Sequence, residues 1–280
     1  MNETSPVLAA ADRHRGYRAS MRTRIALVAL TVVALVTGAA GSAWAITNGV
    51  PDGNTHPQVG ALIADQAYSD GTWAYCSGTL ISPTVFVTAA HCGDPGQTTA
   101  RVSFASQYHA GDPLYVGQYV PDSRYRGAQS DPYDIAVVVF AAPVGGITPA
   151  RLPAAGLLDQ MRAAGTLARA TFPSVGYGSL APINGPGGKT YVYTDTRNKA
   201  TGSLNSLTNA WLRLSQNPST GNGGTCYGDS GGANFLGDDT SNLLVATTIT
   251  GDTACRSTNV DYRLDTVSAR QFLGQFVTLP

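Results

Sequence analysis

Beyond residue 45, the apolar residues of this 280-residue chain come in short runs that glycine, proline, asparagine or aspartate soon interrupts, a rhythm that accommodates many strands and few helices. The clearest runs are Val59 to Ile63, Thr79 to Ile81, Val85 to Thr88, Arg101 to Phe104, Ile135 to Phe140 and Leu243 to Ala246. Only the C-terminal end looks helical: Ala269, Phe272, Leu273 and Phe276 fall at i, i+3, i+4 and i+7, with Asp265 or Thr266 placed to cap them. Between Ala141 and Pro153 the chain is poor in charge and carries Pro143, Gly145, Gly146, Pro149 and Pro153, which marks a boundary between two halves of an all-β body. No internal repeat points to a solenoid.

Gly228-Asp229-Ser230-Gly231-Gly232 begins two residues after Cys226 and presents a serine where backbone N–H groups can face a developing oxyanion. Taken alone, such a run is more often an ordinary turn. A serine hydroxyl is a weak nucleophile near neutral pH, so it needs a base within hydrogen-bond reach and a third group to orient that base. The base candidate is His91 in Thr88-Ala89-Ala90-His91-Cys92, and the orienting candidate is Asp134, which enters the apolar run in Tyr133-Asp134-Ile135-Ala136-Val137-Val138. Asp131 precedes Pro132 in a turn, and His56 and His109 lie among turn residues and are expected at the solvated surface. Chain order then separates folds. An α/β-hydrolase elbow needs a histidine after its serine, whereas His14, His56, His91 and His109 all precede Ser230. A subtilisin order needs an aspartate before the histidine, and Asp52, Asp65 and Asp70 lack strand-like flanks.

Those three segments, in the order His, Asp, Ser, resemble the signature of the chymotrypsin-like (trypsin-fold) serine proteases, and the resemblance runs from Ile46 to the C-terminus. It implies two packed antiparallel Greek-key β-barrels with a C-terminal α-helix. The first barrel would occupy residues 46–150 with His91 and Asp134, the second residues 151–280 with Ser230, and the active site the crevice between them. The implied activity is a secreted serine endopeptidase acting on a polypeptide substrate. Ser230 attacks the scissile carbonyl, His91 carries the proton, Asp134 holds the imidazole, and the N–H groups of Gly228 and Ser230 form the oxyanion hole. The family also pairs a buried N-terminal amine with the aspartate before the nucleophile, here Asp229, and Ile46-Thr47-Asn48-Gly49-Val50 resembles its mature start.

Met21-Arg22-Thr23-Arg24, the apolar stretch Ile25 to Val36 and the small-residue site Ala43-Trp44-Ala45 read as a secretory signal peptide, with Met21 as the start and residues 1–20 as an upstream extension. A membrane anchor is the competing reading of the uncharged residues 25–45, and the cleavage site favours removal. Cleavage there would leave Ile46 first, with no separate propeptide. Past residue 45 stand thirteen Lys and Arg against sixteen Asp and no Glu, without a basic cluster, which argues against nucleic acid and anionic membranes as partners. The composition reads as a soluble monomer, and the acyl-transfer chemistry calls for no cofactor.

Four cysteines allow three pairings, and export together with the lack of any C-x-x-C spacing favours disulfides over a metal site. The resemblance selects Cys76 with Cys92 and Cys226 with Cys255. In trypsin-like members an acidic residue two positions before the cysteine of the serine loop attracts Arg or Lys. Here that position is Gly224, followed by Thr225, so a neutral pocket is expected. The opposite wall, within Thr248 to Asp252, lacks the family's Ser-Trp-Gly. An inward Val260 would restrict the pocket to small or medium apolar side chains, and an inward Asp261 would restore a preference for basic ones; the expectation favours Val260. Two rivals remain: a binding protein on the same scaffold, and a serine esterase.

Overall fold

A computed structural model describes residues 46–128 and 131–280; the signal-like segments fall outside the described residues. After a two-residue strand β1 (Val50–Pro51), six strands follow: β2 (Val59–Ile63), β3 (Ala74–Ser82), β4 (Val85–Thr88), β5 (Thr99–Ser103), β6 (Tyr115–Pro121) and β7 (Ala136–Phe140). They close antiparallel in the order β2-β3-β4-β7-β6-β5, with β5 returning to β2. Every residue of β2 and β4 is buried, which is why these strands read as unbroken apolar runs. On β6 the expected alternation survives, with Gly117 and Tyr119 buried and Val116 and Gln118 exposed.

The second half contributes β8 (Thr171–Gly176), a hairpin of β9 (Ile183–Gly185) and β10 (Gly188–Thr190), then β11 (Asn198–Leu207), β12 (Trp211–Ser215), β13 (Ala233–Phe235), β14 (Leu244–Gly251) and β15 (Thr258–Arg263). The ring β8-β11-β12-β15-β14-β13 closes where β13 pairs with β8. Its first three strands are followed around the ring by the last three in reverse, and the first barrel has the same connectivity. The strand β1 pairs with β11, Val50 opposite Lys199, so the segment after residue 46 docks on the second barrel.

Two α-helices occur among the described residues. The terminal one, α2 (Val267–Leu273), is the expected helix: Thr266 caps it by accepting from the Ala269 N–H at 3.3 Å, and Ala269, Phe272 and Leu273 are buried. The other, α1 (Leu157–Ala163), corrects the expectation that only the end is helical. Its stop-start context hides it. Gly156 precedes it at φ 66°, and one of its first N–H groups, that of Leu158, is capped from far away by Asp265 Oδ2 at 2.8 Å. Leu158 then seals an apolar cluster with Leu167, Phe172, Leu212 and Val245. The larger core runs through both barrels, from Val59, Phe86 and Val137 to Val175, Phe235 and Ile249. No helix among the described residues is long and apolar enough to cross a membrane.

Candidate active site

His91 lies on a single 3-10 turn, Ala90–Cys92, immediately past the end of β4. Three attachments hold that turn. The Cys76–Cys92 disulfide ties it to β3, the Tyr119 hydroxyl stands 3.0 and 2.9 Å from the carbonyl oxygens of Ala89 and Ala90, and the Thr88 hydroxyl donates to Ser77 O at 2.7 Å. Asp134, fully buried just before β7, receives the His91 backbone N–H at 2.9 Å on Oδ1 and faces the imidazole Nδ1 at 2.7 Å with Oδ2. A carboxylate there calls for the proton on Nδ1, which leaves Nε2 free to accept one.

Ser230 comes from the loop that enters β13. Gly228 and Gly231 take φ values of 93° and 77°, a region open to glycine at no steric cost, and Gly231 has a second reason to lack a side chain. A Cβ on it would collide with the Thr88 hydroxyl and stand 2.5 Å from Ser77 O and 2.7 Å from Ala89 N. The serine loop is therefore pressed directly against the residues that precede His91. Ser77 does most of the fastening: its N–H donates to Ser230 O at 2.8 Å, and its hydroxyl donates to Gly228 O at 3.1 Å while accepting the Tyr177 N–H at 2.9 Å. Nothing in the sequence marked Ser77, since a serine beside a cysteine in a strand carries no periodic or motif signal.

Among the described residues the Ser230 hydroxyl makes no hydrogen bond, to His91 or otherwise, and the N–H groups of Gly228 and Ser230 are likewise without protein partners. Beside them a cavity of about 190 Å³ is lined by Thr225, Tyr227, Ser230, Thr248, Ile249 and Asp252 among others. A trypsin family model matches residues 52–269. The chain belongs to the trypsin family. Among solved structures, HL collagenase superposes at a TM-score of 0.57 with 18% identity, over 79% of this chain and 93% of that one, a likeness of fold. No curated protein sequence matches the chain.

Within this trypsin-family frame, the cavity departs from the expected lining. Val260 does not line it. Alternation along β15 turns Asn259 and Asp261 inward, both fully buried, and leaves Val260 half-buried opposite Arg213 and Thr250. Thr225 donates its hydroxyl proton to Asn259 Oδ1 at 2.6 Å, and Gly224 lies behind the cavity, bridged to Thr47 by hydrogen bonds of 2.8 and 3.0 Å. Asp261 accepts from Asn234 Nδ2 at 2.8 Å and from the Thr248 hydroxyl at 3.2 Å on Oδ1, while its buried Oδ2 has no partner among the described residues. Burial pushes this carboxyl well above the ordinary range despite those donors.

Asp229 is also fully buried, and burial raises its carboxyl to about 7 against the opposing N–H donors of Cys226 and Gly178, each at 2.8 Å. The Ile46 N–H, within the continuous chain, donates to Ser179 O at 3.3 Å, one residue from the group that binds Asp229. The second disulfide, Cys226–Cys255, clamps the serine loop to the far wall of the cavity. One cluster of potential metal-binding atoms occurs among the described residues, Cys76, His91 and Cys92, and its two sulfurs are bonded to each other. His56, expected in solvent, is fully buried, and its Nδ1 sits 2.6 Å from Asp52 Oδ1.

Proposed function

We propose that this chain is a secreted serine endopeptidase that cleaves peptide bonds through His91, Asp134 and Ser230. The observation that carries the reading is the buried Asp134 fixing His91 Nδ1 at 2.7 Å on the turn against which the serine loop is fastened. Ser230 attacks the carbonyl as Nε2 of His91 takes its proton, the unpaired N–H groups of Gly228 and Ser230 receive the oxyanion, and the imidazolium returns the proton to the leaving amine. The hydroxyl and imidazole close on each other when substrate orders the site, as catalytic hydrogen bonds commonly do. A fluorophosphonate probe is expected to label Ser230 covalently; a folded protein that resists labelling would favour the binding-protein reading. Parallel rates on a peptide and its ester analogue separate a peptidase from an esterase.

The pocket reading is that of a site with no free charge. Gly224 and Thr225 supply none, Val260 faces away, and Asp252, which lines the cavity, spends its carboxylate on the Gln216 amide and the N–H groups of Arg256, Ser257 and Thr258, so uncharged side chains before the cut are favoured over arginine. Peptides differing only at that position are expected to show arginine among the poorest, and a strong arginine preference would overturn this.

Secretion follows from the signal-like segment with its Ala45 cleavage site, and the two disulfides support it. Cleavage there frees the Ile46 amine to pair with Asp229. In the uncleaved chain this buried carboxyl at about 7 has no cation beside it among the described residues, and its raised value means stability is full below the unfolded carboxyl range and falls as pH rises through about 7. An ammonium beside it reverses that loss. The α-amine, ordinarily near 7.7–8.0, is raised by the pairing, so activity of the processed enzyme is expected to fade only in more alkaline solution, as that proton leaves. N-terminal sequencing and a pH–rate profile check both parts. Active material beginning well away from Ile46, or activity indifferent to alkaline pH, would remove the pairing from the mechanism.

A further inference from the structure

A second cavity, of about 330 Å³, opens on the other side of the serine loop and is lined by Tyr68, Asp70, Thr72, Tyr75, Tyr193 and Gly228 among others. The first cavity touches the loop at Tyr227 and Ser230, this one at Gly228. A peptide whose acyl-side residue occupies the first cavity must send its leaving-group side elsewhere, and this groove lies next to the candidate oxyanion amide.

The groove is built rather than incidental. One wall is the hairpin between β2 and β3, closed by Tyr68 N–H to Thr72 O at 2.8 Å and Gly71 N–H to Tyr68 O at 2.9 Å. The other wall is the segment carrying Tyr193. A single buried carboxylate staples the two at their base: Asp195 accepts the Trp73 N–H at 2.9 Å and the Ala74 N–H at 2.8 Å, from a backbone at φ 52°. Both barrels thus hold the walls apart at a set width.

Its chemistry is one-sided. Three tyrosine rings line it and, among the described residues, no lysine or arginine does. Asp70 spends only one oxygen on the hairpin, with Oδ1 accepting the Thr72 N–H at 3.0 Å and the Thr72 hydroxyl at 2.7 Å, bonds that hold the carboxyl below its ordinary range. Its other oxygen, Oδ2, has no hydrogen bond among the described residues. Tyr193 feels that charge: after burial, the field of Asp70 is the next cause raising its phenol. Aromatic faces and an unsaturated carboxylate around one concavity match a guanidinium or ammonium on an apolar stem.

We propose that this groove binds a basic side chain on the leaving-group side of the scissile bond, making the enzyme selective for lysine or arginine just after the cut although its other pocket is neutral. The proposal rests on the reading of Ser230 as the nucleophile.

The test uses internally quenched peptides with a constant acyl side and Arg, Lys, Ala or Glu at the first or second position after the cut. At one of those positions kcat/KM for Arg and Lys is expected to exceed that for Ala by about three- to tenfold, with Glu poorest, and the spread should shrink as salt is added. Asp70→Asn should flatten the Arg-to-Glu ratio and Asp70→Lys should invert it, with probe labelling of Ser230 reporting that the loop is folded in each. A ratio indifferent to both substitutions, or no charge preference at either position, overturns the proposal. Saturable binding of argininamide to the wild-type protein, lost in Asp70→Lys, supports the groove without any turnover, and its absence counts against it. Failure of the probe to label Ser230 while argininamide still binds would instead strike the enzyme reading.

Discussion

Ser230→Ala is expected to lower peptide hydrolysis by about 10⁶-fold and to leave the thermal midpoint where it was. The loop around Ser230 is held by backbone bonds to Ser77 and Thr248 and by the fit of Gly231 against Thr88, and the hydroxyl itself holds none of it among the described residues. Asp134→Asn is expected to cost about 10⁴-fold, because an amide facing Nδ1 favours the wrong imidazole tautomer. Combining the two should cost no more than Ser230→Ala alone, since once the nucleophile is gone an oriented base has nothing to deprotonate. Steady-state rates on one peptide, with circular dichroism to verify folding, decide this. Additive losses, or a Ser230→Ala protein that still turns over, would show that the three side chains do not act as one unit.

The parts of this site legible in the sequence are those whose chemistry is written locally. Val85 to Thr88 reads as a strand and is one, so a histidine three residues beyond it is placed at a strand end by the chain itself. Asp134 is found in the same way, at the entry to an apolar strand. What escaped notice depends on partners far away in the chain. Ser77 matters because Gly228 and Tyr177 converge on its hydroxyl from 151 and 100 residues on. Asp195 matters because it meets Trp73 and Ala74 across more than 120 residues. Val260 departs from its expected place for a simpler reason: a one-residue shift of register along β15 exchanges the inward and outward sets, and nothing local in the sequence fixes that register. His56 is the sharpest reversal. Flanked by Thr55 and Pro57 it has the neighbours of a surface turn, yet it is fully buried, its Nδ1 held at Asp52 and its ring stacked on Phe235 at 4.9 Å.

That buried cluster carries the largest expected effect on stability. The Arg197 guanidinium is wholly enclosed and donates to Asp52 Oδ2 at 2.9 Å, Val59 O at 3.0 Å, Phe104 O at 3.1 Å, the Tyr177 hydroxyl at 3.1 Å and Gly53 O at 2.6 Å. It joins the segment after Ile46 to both barrels. Arg197→Met removes one charge of the pair and leaves Asp52 with His56 alone, and breaking a buried pair typically costs about 3–5 kcal/mol. Urea unfolding at neutral pH measures it. Burial alone would raise the Asp52 carboxyl, but the side-chain and backbone donors of His56 and the charges of His56 and Arg197 outweigh burial and hold it below its ordinary value. A depressed carboxyl contributes stability that is full above the unfolded value, about 3.9, and is lost as pH falls through the native one. In Arg197→Met part of that support is gone, so the stability gap between variant and parent should be widest near neutrality and narrow in acid, as Asp52 takes up a proton and ceases to need a cation. A gap that stays constant down to the acid transition would place the cost in the orphaned carbonyls of Gly53, Val59 and Phe104 instead. Activity should fall with stability, because Tyr177, which accepts from Arg197, passes its N–H to Ser77, and Ser77 holds the serine loop.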